Sequence, residues 1–594
     1  MQKQTLSDRT EKGRYMERTI AIGHQNFETV RKNNYFYIDK TEFIREWWNS
    51  GDIVTLITRP RRFGKTLNMS MTEQFFSVEY KDRGDIFEGL FIWEKEEAEK
   101  FRSIQGTYPV IALSFAGIKE NTFSQARENI CRIIEGLYNK YDFLLKSELL
   151  NAKEKRFYES VCSTMNDSIA AVSLQALSDY LNRYYEKKVI ILLDEYDTPM
   201  QEAYVNGYWK ELTGFTRSLF NSTFKTNPYL ERALMTGITR VSRESVFSDL
   251  NNLKVITTTS EMYEDKFGFT EEEVLEALAE YHISEKKEEV KKWYDGFIFG
   301  KQKDMYNPWS IINYLKEKRA DTYWANTSSN QLAARLLREG STDLKEAFEG
   351  LLNGGSVETE IDEQIVYDQL GADQNAIWSL FLASGYLKVK NLETKSKYDQ
   401  WRKIYHLELT NFEVKLMFRS MIKNWFTVSV SNYNEFVRAL LQDDVEAMNV
   451  YMNRVAMNTF SYFDTSVGHG QEEPERFYHG FVLGLMVELA DRYRLVSNRE
   501  SGFGRYDVML IPRVKESDGI ILEFKIFNPR REKSLEETVQ NALDQIETKK
   551  YAQELLQQGI PEENIRRYGF AFQGKTVLIG KEKSDKERDY EEEK

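Results

Sequence analysis

Three consecutive residues, Gly64, Lys65 and Thr66, have the types and the order that bind a phosphate chain and its metal ion. They follow the apolar run 53–57 and end the pattern Gly-x-x-x-x-Gly-Lys-Ser/Thr, in which Arg59 stands in place of the first glycine. Backbone N–H groups at the start of a helix converge on anions, so this turn predicts a nucleotide site. We expect Lys65 to reach the terminal phosphates and Thr66 to hold Mg²⁺ through its hydroxyl group.

The same turn contains two further arginines, Arg61 and Arg62, whose charges either contact phosphate or face solvent. Gly64 lets the backbone approach a phosphate closely, because glycine has no side chain. The first glycine of the pattern is missing, so the turn by itself leaves an alternative open, a basic strand–helix junction that binds nothing. A second nucleotide-binding signature elsewhere in the chain would favour the nucleotide site.

Two adjacent carboxylates, Asp194 and Glu195, follow the apolar run 189–193. A buried strand that ends in such a pair can place Asp194 in the shell of Mg²⁺ and Glu195 beside the attacking water. Taken alone, the pair is also consistent with a solvated strand end. The phosphate turn and the carboxylate pair each follow a strand of one expected parallel sheet, and this combination favours a nucleotide site.

A third strand candidate, 233–239, ends in Thr239 and Arg240. A polar side chain at this tip is expected to lie between the acidic pair and the γ-phosphate, which makes Thr239 a candidate nucleotide contact. Arg240 or Arg243 is a candidate for stabilising the charge that develops during phosphoryl transfer. Surface salt bridges are the equally weighted alternative for these arginines.

A second reactive cluster lies near the C-terminus and consists of Asp507, Glu523 and Lys525. The segments 504–511 and 519–526 predict two strands joined by a short hairpin. Side chains alternate along a strand, so Glu523 and Lys525 share one face and the hairpin brings Asp507 opposite them. Two carboxylates can bind a divalent cation that activates water, while the lysine orients the water or stabilises charge. The alternative is an amphipathic hairpin with a salt bridge worth under about 1 kcal/mol.

These residues need a frame of alternating strands and helices. Strand-like runs at 53–58, 108–115, 189–195, 233–239 and 254–259 alternate with helical segments. Such alternation predicts an α/β fold with a mainly parallel sheet and helices on both faces. The strands are almost wholly apolar, as expected for a sheet that is covered on both sides.

The composition of the whole chain suits a soluble protein. Of its 594 residues, 41% are hydrophobic and 29% are charged, and no apolar run approaches the roughly 18 residues that cross a bilayer. The N-terminus lacks the apolar stretch of a signal peptide, and two cysteines in so long a chain indicate the reducing cytoplasm. The net charge of −13 argues against a generally basic nucleic-acid binder, but it permits a local basic groove or a metal-dependent nuclease with an acidic site.

Four segments together resemble the bacterial AAA-ATPase-like family, and the resemblance covers roughly residues 18–300. That family habitually carries Arg-Pro-Arg-Arg-Phe-Gly-Lys in its phosphate loop, so the missing first glycine is typical of it. The resemblance implies ATP binding with Mg²⁺ and leaves turnover open. P-loop proteins often take an arginine from a neighbouring subunit, so a homo-oligomer is also left open. The four segments are 34–41, 59–66, 193–197 and 236–242.

The C-terminal cluster resembles the PD-(D/E)xK nuclease superfamily through the pattern Asp507 … Glu523-x-Lys525. The stretch from about residue 475 to residue 577 is more closely similar to the nuclease-like domain that is habitually fused to these ATPases. Tyr506 stands where the superfamily has a proline before the first aspartate, a departure that this loose motif tolerates. The resemblance implies a restriction-endonuclease-like α/β domain.

Further site residues follow from this resemblance alone. It implies that Glu475, with Glu500 as a rival, is an accessory metal carboxylate. It also implies that Gln545, together with Lys549 and Tyr551, faces the site from a second helix. The implied metal is Mg²⁺, with Mn²⁺ as an alternative at the nuclease site.

The interpretation that we favour is an ATP-binding and ATP-hydrolysing protein with a metal-dependent nuclease domain that acts on nucleic acid, DNA before RNA, in defence or DNA repair. The alternative is a non-catalytic, ATP-switched sensor or scaffold whose nuclease-like domain only binds nucleic acid or protein. The predicted domains are a P-loop domain at 18–265, a helical lid at 266–350, a mainly helical, winged-helix-like middle region at 351–460, the nuclease-like domain at 470–580 and a disordered tail at 581–594.

Overall fold

A computed structural model gives the architecture of the chain. The chain divides into two compact units, Met1–Glu339 with Gly350–Met417, and Gly340–Glu349 with Phe418–Lys594. The predicted tail lies outside the described residues from position 583 onward. The structure describes residues 17–95, 97–240, 247, 250–325, 331–352, 354–362, 370, 373–397, 400–425, 433–459, 482, 486, 489, 492–501, 504–514 and 517–582.

Helices make up most of the regular structure in both units. Among the described residues, none of them is long and apolar enough to cross a membrane. The helices are α1 Phe27–Lys32, α2 Glu42–Ser50, α3 Lys65–Phe76, α4 Phe91–Glu94, α5 Ala98–Ile104, α6 Phe123–Lys140, α7 Phe143–Lys146, α8 Ala152–Ser160, α9 Asp167–Tyr185, α10 Thr198–Asn206, α11 Trp209–Phe220, α12 Glu271–Glu280, α13 Lys287–Tyr294, α14 Pro308–Glu317, α15 Gln331–Glu339, α16 Thr342–Leu352, α17 Gln374–Ala383, α18 Phe412–Trp425, α19 Tyr433–Leu441, α20 Val445–Thr459, α21 Leu535–Thr548 and α22 Ala552–Gln557.

Within the described ranges, the strands form four sheets. Their orders are β2-β3-β4-β1-β5, β6-β8-β7, β10-β11-β9 and β12-β13-β14-β15-β16. The strands are β1 Val54–Thr58, β2 Val110–Ser114, β3 Val189–Asp194, β4 Leu230–Gly237, β5 Leu253–Ile256, β6 Phe269–Thr270, β7 Asp295–Phe299, β8 Gln302–Tyr306, β9 Val357–Thr359, β10 Leu387–Lys397, β11 Gln400–Leu409, β12 Tyr493–Ser501, β13 Gly504–Pro512, β14 Gly519–Ile526, β15 Ile565–Gln573 and β16 Thr576–Lys581.

The largest sheet of the first unit is parallel throughout, so the predicted α/β fold is confirmed. Every residue of β1 and β3 is buried, because helices cover both faces of the sheet. Strand β4 lies between β1 and β3. The carboxyl ends of these three strands therefore meet at one edge of the sheet, and the phosphate turn and the carboxylate pair both lie there.

The region predicted as a helical lid contains a small antiparallel sheet, β6-β8-β7, in addition to α12, α13 and α14. These elements share a core with the segment that precedes α2. Thr270 and Glu273 form a capping box at the start of α12. The Glu273 carboxylate also accepts a 2.6 Å bond from Lys40 Nζ, so the lid is attached to the segment that precedes the phosphate loop.

The segment predicted as the middle region, 351–460, contributes to both compact units. Its first part forms α17 and the long antiparallel hairpin of β10 and β11, with a bulge after Val389. Gly385 joins α17 to β10 with a φ of +81°, a conformation that glycine adopts without strain.

The second unit contains the mixed sheet of β12 to β16. Strands β14 and β15 are parallel, and the other neighbours in this sheet are antiparallel. The predicted hairpin of β13 and β14 is present, with Val508 opposite Leu522. Helix α21 packs against this sheet, and its residues Val539, Leu543 and Ile546 belong to the core below it.

Candidate functional site

The phosphate turn runs from the end of β1 to the start of α3. Gly64 precedes α3 and has a φ of +81°, which a residue with a side chain adopts only with strain. Lys65 is almost fully buried, and its Nζ donates 3.0 Å bonds to the carbonyl oxygens of Arg59 and Pro60. Burial lowers the pKa of Lys65, the nearby carboxylates raise it, and the charge of Arg61 lowers it. The ammonium group thus lies within the turn, bound to its carbonyl oxygens.

The first turn of α3 and the end of β3 are joined by a hydrogen bond. Thr66 Oγ1 donates 2.8 Å to Asp194 Oδ2. The other oxygen of Asp194 accepts from the hydroxyl of Thr236 on β4. Burial raises the pKa of Asp194, and both hydroxyl groups lower it. The structure therefore brings together the two groups that the sequence assigns to Mg²⁺.

Glu195 follows Asp194 in a left-handed backbone conformation, with a φ of +50°. Its N–H donates to Thr236 Oγ1 at 3.2 Å, and its side chain accepts from Thr198 Oγ1 at 3.2 Å. A left-handed conformation is uncommon for a residue with a side chain and occurs often at functional sites. This turn leaves the Glu195 carboxylate at the wall of a cavity.

The cavity measures about 660 Å³, within the range of small-molecule sites. Its lining contains both apolar or aromatic side chains and charged side chains. The apolar or aromatic residues include Ile22, Phe36, Ile38, Phe269, Trp309 and Ile312, and the charged residues include Lys40, Arg61, Arg62, Lys65, Asp194 and Glu195. Such a combination suits a ligand with a flat apolar base and a phosphate chain.

Arg59, which replaces the first glycine of the loop pattern, is fully buried. Its guanidinium donates to the carbonyl oxygens of Thr58, Thr257 and Tyr263, at 2.7 to 3.2 Å. It also lies 4.8 Å from the ring centre of Phe299. Burial lowers the pKa of Arg59 to about 9. Arg59 therefore ties the loop to the segment after β5.

The other two loop arginines differ in their surroundings. Arg61 is half-buried and donates a 3.1 Å bond from Nη2 to Gln201 Oε1 on α10. Arg62 is exposed, and its guanidinium lies 4.3 Å from the ring centre of Trp309. Both line the cavity.

The sequence suggested Thr239 as a nucleotide contact, but this residue lies apart from the cavity that Lys65 and Thr66 line. It is 1% exposed and lines a separate cavity of about 30 Å³. Its hydroxyl donates 2.9 Å to Asp197 Oδ2, which also accepts from the N–H groups of Ile238 and Thr239. Arg240 follows as a half-buried residue, and Arg243 lies outside the described residues.

Asp197 was missed as a functional candidate, although it belongs to the run Leu-Asp-Glu-Tyr-Asp that the sequence singled out. It is buried, and burial raises its pKa while three hydrogen bonds lower it. Tyr196 adds a bond from its hydroxyl to the carbonyl oxygen of Thr239, at 2.8 Å. The end of β4 is thus held by the turn that follows β3.

The C-terminal cluster is assembled on β13 and β14 of the second unit. Asp507 Oδ2 accepts a 2.7 Å bond from the N–H of Phe524, between the two other members of the cluster. Lys525 Nζ lies 3.4 Å from Glu523 Oε1. Gln545, on α21, donates to the same Glu523 oxygen. Asp507, Glu523, Lys525 and Gln545 therefore lie together, as predicted.

The carboxylates of this cluster have the chemistry of cation ligands. Glu523 is 1% exposed, and among the described residues nothing hydrogen-bonds its Oε2. Burial raises the pKa of Asp507 to about 6; burial and the nearby Asp507 raise that of Glu523 to about 8. The two carboxylates repel each other when both are ionised. A divalent cation would relieve this repulsion, so the donor set fits such an ion.

A third carboxylate ligand is not part of the described site. Among the described residues, no group of three or more His, Cys, Asp and Glu side chains is arranged to hold a metal ion. Glu475, the predicted accessory carboxylate, lies outside the described residues. Of the other predicted neighbours, Tyr551 is fully buried and its hydroxyl accepts a 3.1 Å bond from Gln545 Nε2.

Comparison with known proteins agrees with this geometry. Residues 21–247 match the family described as Predicted AAA-ATPase. Residues 473–582 match the PD-(D/E)XK nuclease superfamily. A similar protein is an "Uncharacterized protein in vnfD 5'region" from Azotobacter chroococcum mcd 1, which is 25% identical over 322 residues. That alignment covers 54% of this chain and 56% of the relative, so the chain spans about half the length of the curated relative that it matches.

Proposed function

We propose that this chain binds and hydrolyses ATP at the phosphate loop and cleaves phosphodiester bonds of nucleic acid through its C-terminal domain. The observation that carries the first part is the hydrogen bond from Thr66 to Asp194, two groups that share one Mg²⁺ in P-loop enzymes. Lys65 supplies the positive charge for the phosphates. A bound Mg²⁺ would neutralise the charge that develops on them.

Glu195 is the group that we assign to the attacking water. It lines the same cavity as Lys65 and Thr66, and Thr198 orients its carboxylate. A carboxylate at this place accepts a hydrogen bond from water and aligns it with the γ-phosphorus. The apolar and aromatic side chains of the cavity lining give an adenine base a surface on which to pack.

The second part of the proposal rests on the group of Asp507, Glu523, Lys525 and Gln545, of which Glu523 is buried and the other three are half-buried. The two carboxylates would hold a divalent cation, either Mg²⁺ or Mn²⁺, which supplies an activated water and neutralises the scissile phosphate. Lys525 stabilises the negative charge of the reacting phosphate. Gln545 orients Glu523 through a hydrogen bond. We propose DNA as the substrate and defence or DNA repair as the role, on the domain architecture alone.

ATP binding is tested with purified full-length protein and a fluorescent ATP analogue. We expect Lys65→Ala to abolish binding, and we expect the exposed control Lys146→Ala to bind as the wild type does. Equal ATP affinity of the Lys65→Ala variant and the wild type would refute the proposed nucleotide site. Release of phosphate from ATP, measured on the same samples, tests hydrolysis.

Nuclease activity is tested with single- and double-stranded DNA and RNA, with Mg²⁺ or Mn²⁺, and with and without ATP. We expect cleavage to need the metal and to be lost in Lys525→Ala, while the exposed control Lys533→Ala retains it. Cleavage that survives Lys525→Ala defeats the assignment. Binding of nucleic acid without cleavage under every condition favours the alternative, a sensor or scaffold.

A further inference from the structure

The three arginines of the phosphate loop have different surroundings, and this difference separates their roles. Arg59 has its guanidinium bound to carbonyl oxygens in the interior. Arg62 is exposed and packs on the Trp309 ring. Arg61 is half-buried, lines the cavity and is hydrogen-bonded to the side chain of Gln201. The partner of Arg61 here is a neutral amide oxygen, whereas a phosphate would offer the guanidinium a charged and bidentate partner.

Helix α10 holds Arg61 and Glu195 from one face. Thr198, its first residue, donates to the Glu195 carboxylate, and Gln201 accepts from Arg61. Residues three apart on a helix lie on the same face. The group proposed to align the attacking water and the Arg61 guanidinium are therefore held by adjacent turns of one helix, at the wall of the same cavity.

The charged residues that line the cavity with Arg61 favour an anionic ligand. Arg61 and Lys65 line the same cavity, so two cationic side chains face one space. Like charges repel, and a polyphosphate that meets both of them removes the repulsion. Asp194 and Glu195 line the same cavity, which suits a site for phosphate and Mg²⁺ together.

The backbone of Arg61 is held from outside the loop. Its carbonyl oxygen accepts a 3.2 Å bond from Asn307 Nδ2, at the cap of α14. The preceding Pro60 packs on Gly385, where an added Cβ would lie 2.8 Å from Pro60 Cγ. Buried Tyr386 lines the small cavity that Arg61 also lines. A fixed backbone and apolar surroundings strengthen a charge that is aimed at a reacting group.

We propose that Arg61 is the arginine that stabilises the transition state of ATP hydrolysis, supplied by the same phosphate loop that binds the nucleotide. This inference rests on the proposed ATPase function. A water oxygen forms a bond to the γ-phosphorus, and the bond from that phosphorus to the β–γ bridging oxygen breaks. The water proton passes to Glu195 and then to solvent, and ADP and inorganic phosphate leave. Arg61 exchanges Gln201 for the γ-phosphate oxygens and neutralises their growing charge.

This assignment gives Arg61 the role that the sequence suggested for Arg240 or Arg243. It also makes hydrolysis independent of an arginine from another subunit. The turnover rate per chain is therefore expected to stay constant when the protein is diluted. An arginine finger raises turnover by about 10³ to 10⁵, so removal of Arg61 is expected to have an effect at least as large as 100-fold.

The experiment compares full-length Arg61→Ala and Arg61→Lys with the wild type and with Arg132→Ala, which replaces an exposed arginine on α6. We expect kcat to fall about 100-fold or more in Arg61→Ala, with ATP affinity changed less than about tenfold. We expect Arg132→Ala to match the wild type. The second readout is trapping of Mg²⁺, ADP and aluminium fluoride, a mimic of the transition state, which we expect Arg61→Ala to lose.

The outcomes separate the two proposals. Absence of ATP binding by the wild type refutes the nucleotide site and, with it, the role of Arg61. Binding without turnover refutes hydrolysis and this inference but leaves the nucleotide site. Hydrolysis that Arg61→Ala retains within about threefold, with fluoride trapping intact, refutes only the inference. Arg61→Lys keeps the charge and loses the planar fork, so it gives the same test if the alanine variant does not fold.

Discussion

Thr66 Oγ1 and Asp194 Oδ2 are joined by a 2.8 Å hydrogen bond, although 128 positions separate them in the chain. Thr66 lies in the first turn of α3, the helix after β1, and Asp194 ends β3. The bond exists because both strands are parallel and end at the same edge of the sheet, with β4 between them. It keeps the hydroxyl and the carboxylate at a spacing from which both can face one Mg²⁺.

Replacement of Thr66 by alanine removes one of these groups. We expect the Mg²⁺-dependent part of ATP affinity to fall about tenfold, which corresponds to roughly 1.4 kcal/mol. The measurement is ATP titration with Mg²⁺ and again with EDTA. Thr394→Ala, at an exposed position of β10, is the matched control. Equal loss of affinity in EDTA would mean that Thr66 contributes to the fold of the loop rather than to the metal.

Asp197 is expected to contribute more to the free energy of unfolding than Thr239, from whose N–H and hydroxyl group it accepts hydrogen bonds. Asp197→Ala leaves the N–H groups of Ile238 and Thr239 without their acceptor, at a cost of about 3 kcal/mol. Thr239→Ala removes one hydrogen bond and is expected to cost about 1 kcal/mol. Urea unfolding of both variants measures the difference. Equal costs would contradict the view that the carboxylate holds the end of β4.

Restoration of the first loop glycine by Arg59→Gly is expected to damage the protein. The change removes the guanidinium bonds to the carbonyl oxygens of Thr257 and Tyr263 and opens a cavity beside Phe299. We expect a loss of about 3 kcal/mol or more in the free energy of unfolding, with no gain in ATP affinity. Chemical denaturation and ATP titration measure the two quantities. Tighter ATP binding by the variant would contradict the structural role of Arg59.

Glu413 predicts a pH dependence of stability in the first unit. The buried carboxylate accepts bonds from Ser310 Oγ and from the N–H of Trp324, and burial raises its pKa to about 7. An exposed glutamate in the unfolded chain titrates near pH 4.5. Between these values the folded state holds the proton more tightly, so stability decreases as pH rises from about 4.5 to 7 and levels off above it.

The size of this effect is about 3 kcal/mol, because one pKa unit corresponds to about 1.4 kcal/mol. The amide of Glu413→Gln carries no charge at any pH, so we expect the variant to lose this part of the slope. Urea unfolding from pH 4.5 to 8 measures it, with the exposed Glu276→Gln as the control. An unchanged slope in Glu413→Gln would exclude Glu413 as its source.

The pair of Asp507 and Glu523 predicts stabilisation by metal ions. We expect Mg²⁺ or Mn²⁺ to raise the melting temperature of the wild type by a few degrees, since an ion that binds only the folded state stabilises it. Glu523→Gln removes a ligand and the repulsion between the carboxylates, so we expect it to melt higher than the wild type in EDTA and not to respond to metal. Glu547→Gln, an exposed change on α21, is the control. A response that survives Glu523→Gln would contradict the assignment.

Several local features of the fold could be predicted because they depend on neighbours in the chain. The strand–turn–helix around Gly64 has its own sequence pattern, and the hairpin of β13 and β14 follows from two apolar runs with a polar turn between them. The parallel sheet followed from alternation of strands and helices. The strands within the region expected to be a helical lid, 266–350, could not be predicted as clearly, because short strands such as β6 have few residues to form a pattern.

The sequence by itself determined which residues carry charge and which strands end in them, since these are properties of short segments. It identified Lys65, Asp194, Asp507, Glu523 and Lys525 as candidates without any coordinates. Only the tertiary structure decided which partners the neighbouring polar residues have. The Arg59 guanidinium is bound to the carbonyl oxygen of Thr257, and the Thr239 hydroxyl is bound to Asp197. The physical reason is that a buried polar group forms hydrogen bonds with groups that packing brings near it, often from positions far along the chain. Short sequence patterns do not contain information about these long-range contacts.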